Sequence, residues 1–220
     1  MARPEKVPQS LEARLAPAGC AILIIDMQND FCASTGYVEK VVGRDASACR
    51  SIVTRVRRLV DEARRREIPI VWVAASYDID KIPASMRAKQ LERSDAVCCA
   101  GGEWGSQFYE LSPAPQDEIV VKHAYSAFIG TSLAEHLRDR AVQTLIFAGV
   151  QTNVCLEHSV RDAFCLGFKC VVVSDCVASH MPSLHDAALS NLRFFYGSVL
   201  SLDELAEQWL RGASLEEETF

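Results

Sequence analysis

Cys20-Ala-Ile-Leu-Ile-Ile-Asp26 is an unbroken apolar run that ends on a carboxylate. Its length suits a strand better than a helix, and three of its residues are β-branched isoleucines. A run that is apolar at every position must be covered on both faces, as strands of a parallel sheet are. Ile68 to Ala74, Glu118 to Val121, Val142 to Ala148, Phe168 to Ser174 and Ser198 to Ser201 read as further strands. Between them lie helical patterns. Ala46 to Glu67 carries Ile52, Val53, Val56, Leu59, Val60 and Ala63 at helical spacing. Thr131 to Arg140, Asn153 to Leu166 (stopped by Gly167), Ser183 to Phe195 and Leu202 to Leu210 are the others. The alternation predicts an α/β fold, a three-layer α/β/α sandwich around about six parallel strands. Asp78 to Pro115 is the irregular part, and a connection of that length is expected to serve a site.

The 220 residues suffice for one well-buried domain. Residues 1–18, polar and broken by Pro4, Pro8 and Pro17, are expected to form an arm, with the domain over 19–220. A net charge of −6 argues against nucleic acid, which wants a basic stripe. No segment has signal-peptide character or the roughly 20 apolar residues of a membrane span, so a cytoplasmic protein without a membrane partner is expected. The nine cysteines show no CxxC pair and no repeated spacing, which argues against a zinc knuckle or a disulfide framework. Adjacent Cys98 and Cys99 are the only support for a metal or redox protein.

In parallel α/β sheets the ligand sits beyond the carboxyl ends of the strands. After the first strand comes Asp26-Met-Gln-Asn-Asp-Phe31, after the third Lys122-His-Ala-Tyr-Ser-Ala-Phe128, and after the fourth Gly149-Val-Gln-Thr-Asn-Val-Cys155. An acid, a cation and a thiol thus reach one rim from three strands. Cys155 falls in the first turn of a helix that Thr152 or Asn153 can cap, where the helix dipole would favour a thiolate. Asp26 is placed to take the thiol proton and return it to a leaving amine. Lys122, one of only six lysines against 17 arginines, would hold Asp26 ionised and favour the thiolate. Each residue alone has an ordinary alternative: a buried structural cysteine, a turn-capping aspartate, a snorkelling lysine. His158 and His123 are weighed as well. The first lies one helical turn past Cys155 and the second points away from Lys122, so both are read as structural.

Taken together, Ile-Ile-Asp-Met-Gln-Asn-Asp-Phe (24–31), Val-Lys-His-Ala-Tyr-Ser-Ala-Phe-Ile-Gly-Thr (121–131) and Ala-Gly-Val-Gln-Thr-Asn-Val-Cys-Leu-Glu (148–157) resemble the three signature blocks of the isochorismatase-like cysteine hydrolases. Val-Val-Val-Ser-Asp-Cys-Val-Ala (171–178) fits too, and the resemblance runs from about Cys20 to Glu204. It implies a strand order of 3-2-1-4-5-6 and a catalytic triad of Asp26, Lys122 and Cys155. It also implies a cis peptide at Val150–Gln151 and an oxyanion hole made by the amides of Gln151 and Cys155. The nicotinamidase pattern has an Asp-x-His pair and a further His after the second strand. Here that stretch is Ala75-Ser-Tyr-Asp-Ile-Asp80, with no His before His123, so no metal and no other cofactor is expected. Enol-ether-cleaving isochorismatases generally lack the nucleophilic cysteine, which moves the expectation to amide chemistry.

Within the family the chain looks most like ureidoacrylate and N-carbamoyl amidohydrolases. Tyr125-Ser-Ala-Phe128, Trp104-Gly-Ser and the stretch His185 to Gly197 carry that likeness, while the insertion between Tyr77 and Trp104 departs from it. The expected partner is a small amide or ureide, cut through a thioester, and the expected assembly is a homo-oligomer, dimer or tetramer. Phe31, Tyr77, Trp104, Tyr125 and Phe128, together with Val150, are expected to bind the substrate, an aromatic wall suiting a small planar group. The alternatives are an isochorismatase- or nicotinamidase-like hydrolase of another small substrate and, of a different class, a catalytically silent binding protein on the same fold.

Overall fold

Six strands form one parallel sheet in the order β3-β2-β1-β4-β5-β6. They are β1 (Cys20–Ile25), β2 (Ile70–Ala75), β3 (Glu118–Lys122), β4 (Thr144–Val150), β5 (Lys169–Ala178) and β6 (Gly197–Leu200). The computed structural model describes residues 10–217. The pleat of β1 splits the core in two. Ile22 and Ile24 face one helical layer, while Ala21, Leu23 and Ile25 face the other. The first layer contains the helices Val53–Arg65 and Leu202–Glu217. The second contains Leu133–Asp139, Glu157–Cys165 and Pro182–Phe195. Each buried Ile or Leu of β1 contributes about 1.5–3 kcal/mol, which explains why no polar side chain interrupts that strand.

The expected fold class, strand count and strand order are those observed. Some boundaries move. The long helix expected over 46–67 breaks at Ile52 into Ser47–Ser51 and Val53–Arg65. β5 runs on to Ala178, and the last helix to Glu217. β3 is an edge strand covered on one face only, with Ile119 and Val121 exposed. The irregular segment carries a helix of its own, Ala84–Leu91, and a 3-10 turn at Trp104–Ser106. Within the expected arm, residues 1–9 lie outside the described residues, as do 218–220. From Ser10 onward that segment packs onto the domain. The turn Leu11–Arg14 meets the helix Leu202–Glu217, and Leu15 is buried in the core. No helix among the described residues is long and apolar enough to cross a membrane.

The chain order reverses between β1 and β4, the place where doubly wound sheets open a crevice at their carboxyl ends. Gly149 keeps the two strands close there. A Cβ at this position would lie 2.0 Å from the Ile25 carbonyl oxygen, and the glycine adopts φ +113°. The β4–β5 register shifts beside it, between Phe147 and Gly149.

Candidate active site

Asp26 follows β1 with φ 51°, uncommon for a residue other than glycine, and is fully buried. Lys122 ends β3, two strands away, also fully buried. Its side chain reaches past β2, where Ala75 is its register partner, and brings Nζ to 2.8 Å from Asp26 Oδ2. Lys122 Nζ also donates to the Tyr77 hydroxyl at 3.0 Å and to the Ala124 carbonyl at 3.1 Å. Cys155 is 3% exposed on the floor of the cavity, with Sγ 3.3 Å from the Tyr77 hydroxyl. The three residues expected to act together thus stand together, and Tyr77 stands among them.

The backbone under Cys155 is not the expected first turn of an α-helix. Thr152–Leu156 is a wider π-type turn, and the α-helix Glu157–Cys165 follows it. Neither Thr152 nor Asn153 caps that helix. Thr152 Oγ1 faces His185 Nδ1 at 2.9 Å, and Asn153 Oδ1 accepts from the Ser179 hydroxyl at 2.6 Å. The lowered thiol pKa expected from a helix terminus is overturned as well. Burial pushes Cys155 up to about 12; Lys122 works against that and Asp26 with it. The resting residue is therefore a neutral thiol that needs a base.

Asp26 can be that base. Burial raises its pKa above the ordinary carboxylate value, while Lys122 pulls the other way. The close Lys122 ion pair, Nζ to Oδ2 at 2.8 Å, is the main compensation of the buried carboxylate. For Lys122, burial disfavours the charge, but Asp26 and then Cys155 outweigh it and hold the ammonium above its usual value. A carboxylate with raised proton affinity, beside a thiol and a fixed cation, suits proton transfer and nucleophilic attack.

The cavity above Cys155 has a volume of about 310 Å³. Phe31, Tyr77 and Tyr125 line it as expected. Three other expected contacts lie elsewhere. The Trp104 residue is 48% exposed, and its carbonyl is tied to Asn29 Nδ2 at 2.8 Å. Phe128 stacks on Phe168 in the core, with ring centroids 6.2 Å apart. Val150 is buried in the opposite core layer. Residues not anticipated complete the wall: Tyr37, Val38 and Val42 on one side, and Met86, Lys89 and Arg93 from the insertion on another.

His158 also lines the cavity, which corrects its reading as a residue turned away from the rim. The wider turn before it alters its angle, so that its ring meets Tyr125 at 5.5 Å while its Nδ1 faces the Val154 carbonyl at 2.8 Å. His123 keeps the structural role expected of it, with Nδ1 2.6 Å from the Ser76 carbonyl oxygen. Gln151 also lines the cavity. Its Oε1 accepts from the backbone N–H of His180 and faces His180 Nδ1, each at 3.0 Å. The peptide between Val150 and Gln151 is cis, as the resemblance implied. Among the described residues, Asp30, Cys98 and Cys99 form a second carboxylate–thiol group whose ligand atoms lie within 4.8 Å of one another.

The isochorismatase domain family matches residues 20–204 of this chain. The ureidoacrylate amidohydrolase RutB of Methylobacterium radiotolerans is 33% identical over 213 residues, covering 90% of this chain and 80% of its own. That of Cronobacter turicensis is 32% identical, covering 94% and 93%. Among solved structures, a cysteine hydrolase from Pseudomonas syringae pv. phaseolicola superposes with a TM-score of 0.80 at 25% identity, covering 89% and 94%. Sequence blocks, strand order and these relatives agree: the chain belongs to the isochorismatase family of hydrolases.

Proposed function

We propose that this hydrolase cuts the C–N bond of a small ureide or amide that carries a carboxylate, with Cys155 as nucleophile. The observation that carries the reading is the buried group of Asp26, Lys122 and Cys155 on the floor of a cavity that offers cations and, among its described lining residues, no carboxylate. Arg93 and Lys89 stand in its wall, and the Lys89 ammonium is already paired with Glu92 at 2.7 Å. A ureido acid would meet Arg93 with its anionic end and the thiol with its carbonyl. The amidohydrolase relatives are named for a substrate of that kind.

The chemistry runs through two proton transfers in each half-reaction. Asp26 takes the thiol proton as Sγ attacks the carbonyl carbon. The C=O π electrons move to oxygen, where the amides of Gln151 and Cys155 are assigned to stabilise the charge. The C–N bond then breaks, Asp26 returns the proton to the departing nitrogen, and ammonia or an amine leaves. An amide leaves a thioester on Cys155, and a ureide an S-carbamoyl group. Water attacks that carbonyl while Asp26 accepts its proton, the C–S bond breaks, and the proton returns to sulfur. Lys122 stays an ammonium throughout and compensates whichever of Asp26 and Cys155 is negative.

Ammonia release across ureidoacrylate, N-carbamoyl amino acids, biuret, nicotinamide and neutral primary amides tests this reading. The carboxylate-bearing ureides should be turned over with the highest kcat/KM, and Arg93→Ala should raise their KM roughly tenfold. A preference for the neutral amides, untouched by Arg93→Ala, contradicts the charge assignment.

A further inference from the structure

Counting donors around Cys155 assigns a fourth member to the group. A lysine ammonium has three protons and no lone pair. Those of Lys122 have three acceptors at hand: Asp26 Oδ2 at 2.8 Å, the Tyr77 hydroxyl at 3.0 Å and the Ala124 carbonyl at 3.1 Å. Tyr77 therefore receives a hydrogen bond from Lys122 and still has its own proton to place. The other polar atom within reach of its oxygen is Cys155 Sγ, at 3.3 Å. If the thiol donated to Tyr77 instead, the tyrosine proton would be left without a protein acceptor at a buried position, which is costly. With Tyr77 donating to sulfur, the thiol proton is free for Asp26, and each donor in the set has an acceptor.

We infer that Tyr77 is a catalytic residue whose hydroxyl, oriented by Lys122, donates a hydrogen bond to Cys155 Sγ and stabilises the sulfur as it becomes anionic. The ring is fixed for this task. Tyr77 is 6% exposed, meets Tyr125 edge-on at 6.2 Å, and has Lys122 Nζ 5.2 Å from its centroid. Burial, followed by the neighbouring Cys155 and Asp26, holds the phenol proton on well above its ordinary range, so Tyr77 remains a donor at any working pH. The thiolate hydrogen bond strengthens as negative charge gathers on sulfur, which is the condition for lowering a barrier rather than tightening binding. Sequence reading placed Tyr77 in the substrate wall; its hydroxyl also reaches the reacting atom.

The inference rests on Cys155 being the nucleophile, and the two ideas fail separately. Full ammonia release by Cys155→Ala removes the parent reading. The test of Tyr77 needs no substrate: the rate at which iodoacetamide alkylates the peptide bearing Cys155 is followed by mass spectrometry between pH 7 and pH 10. Tyr77→Phe keeps the ring and loses the donor, so the rate should fall roughly 10-fold at every pH, with kcat/KM falling roughly 10- to 100-fold. A second variant carries 3-fluorotyrosine at position 77, a near-isosteric and stronger donor. It should alkylate faster than the unmodified protein, whereas a merely structural tyrosine would give no gain. An unchanged rate in Tyr77→Phe, or an equal loss in both variants, overturns the assignment. The fluorotyrosine arm remains decisive even if Tyr77→Phe folds poorly.

Discussion

The protein brings a carboxylate and thiols together twice, at Asp26 with Cys155 and at Asp30 with Cys98 and Cys99, and the two places are built for different ends. Asp30 spends its oxygens on the backbone, accepting from the Tyr37 N–H at 3.1 Å and the Cys99 N–H at 2.6 Å. Its thiols lie 3.9 Å apart, and Cys99 Sγ approaches the Gly105 carbonyl at 3.8 Å. The group ties the insertion to the turn after β1. Asp26 is compensated chiefly by Lys122, with the Ala75 backbone contributing less. The difference teaches that residue type does not make a reactive site. Asp30 is spent on tying backbone amides together, whereas Asp26 stands beside a thiol with its proton affinity raised by burial against the pull of Lys122.

The largest expected contrast is in turnover. Asp26→Asn keeps the shape and removes the base, so kcat/KM should fall roughly 10²–10⁴-fold. Asp30→Asn should leave kcat within a few fold and lower the melting temperature instead, because it weakens two backbone hydrogen bonds. Equal catalytic losses would erase the distinction between the two carboxylates. Lys122→Met should be nearly as severe as Asp26→Asn. The double variant should be about as poor as the worse single one, since the two residues work as a unit. A double-mutant cycle additive in free energy would mean that they act independently.

The pH profile sharpens the same contrast. Asp26 must be ionised to act, and burial raises its pKa above the ordinary 3.8. kcat/KM should therefore be high above that raised value and fall as pH drops through it, with an acid limb higher than a free aspartate would give. A limb at or below the ordinary value would contradict a buried base. Dialysis against a strong chelator should leave turnover intact. Loss on chelation, restored by zinc, manganese or iron, would give the Asp30 group a role in the chemistry. The smallest effect concerns stability. Burial pushes Cys20 to about 12 and Cys49 to about 11, against 9.0 for an unburied thiol. A raised folded value stabilises fully below about 9 and is lost as pH climbs through the folded value. The melting temperature should thus decline above pH 9, and Cys20→Ala with Cys49→Ala should flatten that decline.

Much of this was legible in the chain because the strands are apolar at every position and end on polar residues. Cys20 to Ile25 is a strand from its composition alone, and Asp26 is conspicuous because it interrupts that composition. Lys122 and Cys155 were found by the same rule, one strand end at a time. What was not legible depends on geometry across the sheet. No spacing shows that Lys122 reaches Asp26 past β2, or that Tyr77 stands between lysine and sulfur. The cavity wall at Met86, Lys89 and Arg93 was hidden because Ala84–Leu91 buries none of its residues fully and has no strong apolar stripe. Trp104 and Phe128 misled for the opposite reason. An aromatic residue near a strand end reads as a wall, yet one went to the surface and the other to the core. The π-type turn under Cys155 has no signature in local propensity, and it changed both the reading of the thiol and that of His158.

The most direct test of the account is acid-quench peptide mass spectrometry during turnover of whichever ureide or amide the enzyme hydrolyses fastest. The account predicts a covalent acyl or carbamoyl adduct on the peptide bearing Cys155, present in the wild type, absent in Cys155→Ala, and accompanied by loss of ammonia release in that variant. Cys155→Ala retaining more than a few per cent of wild-type release, or an adduct on Cys98 or Cys99 in place of Cys155, would contradict it.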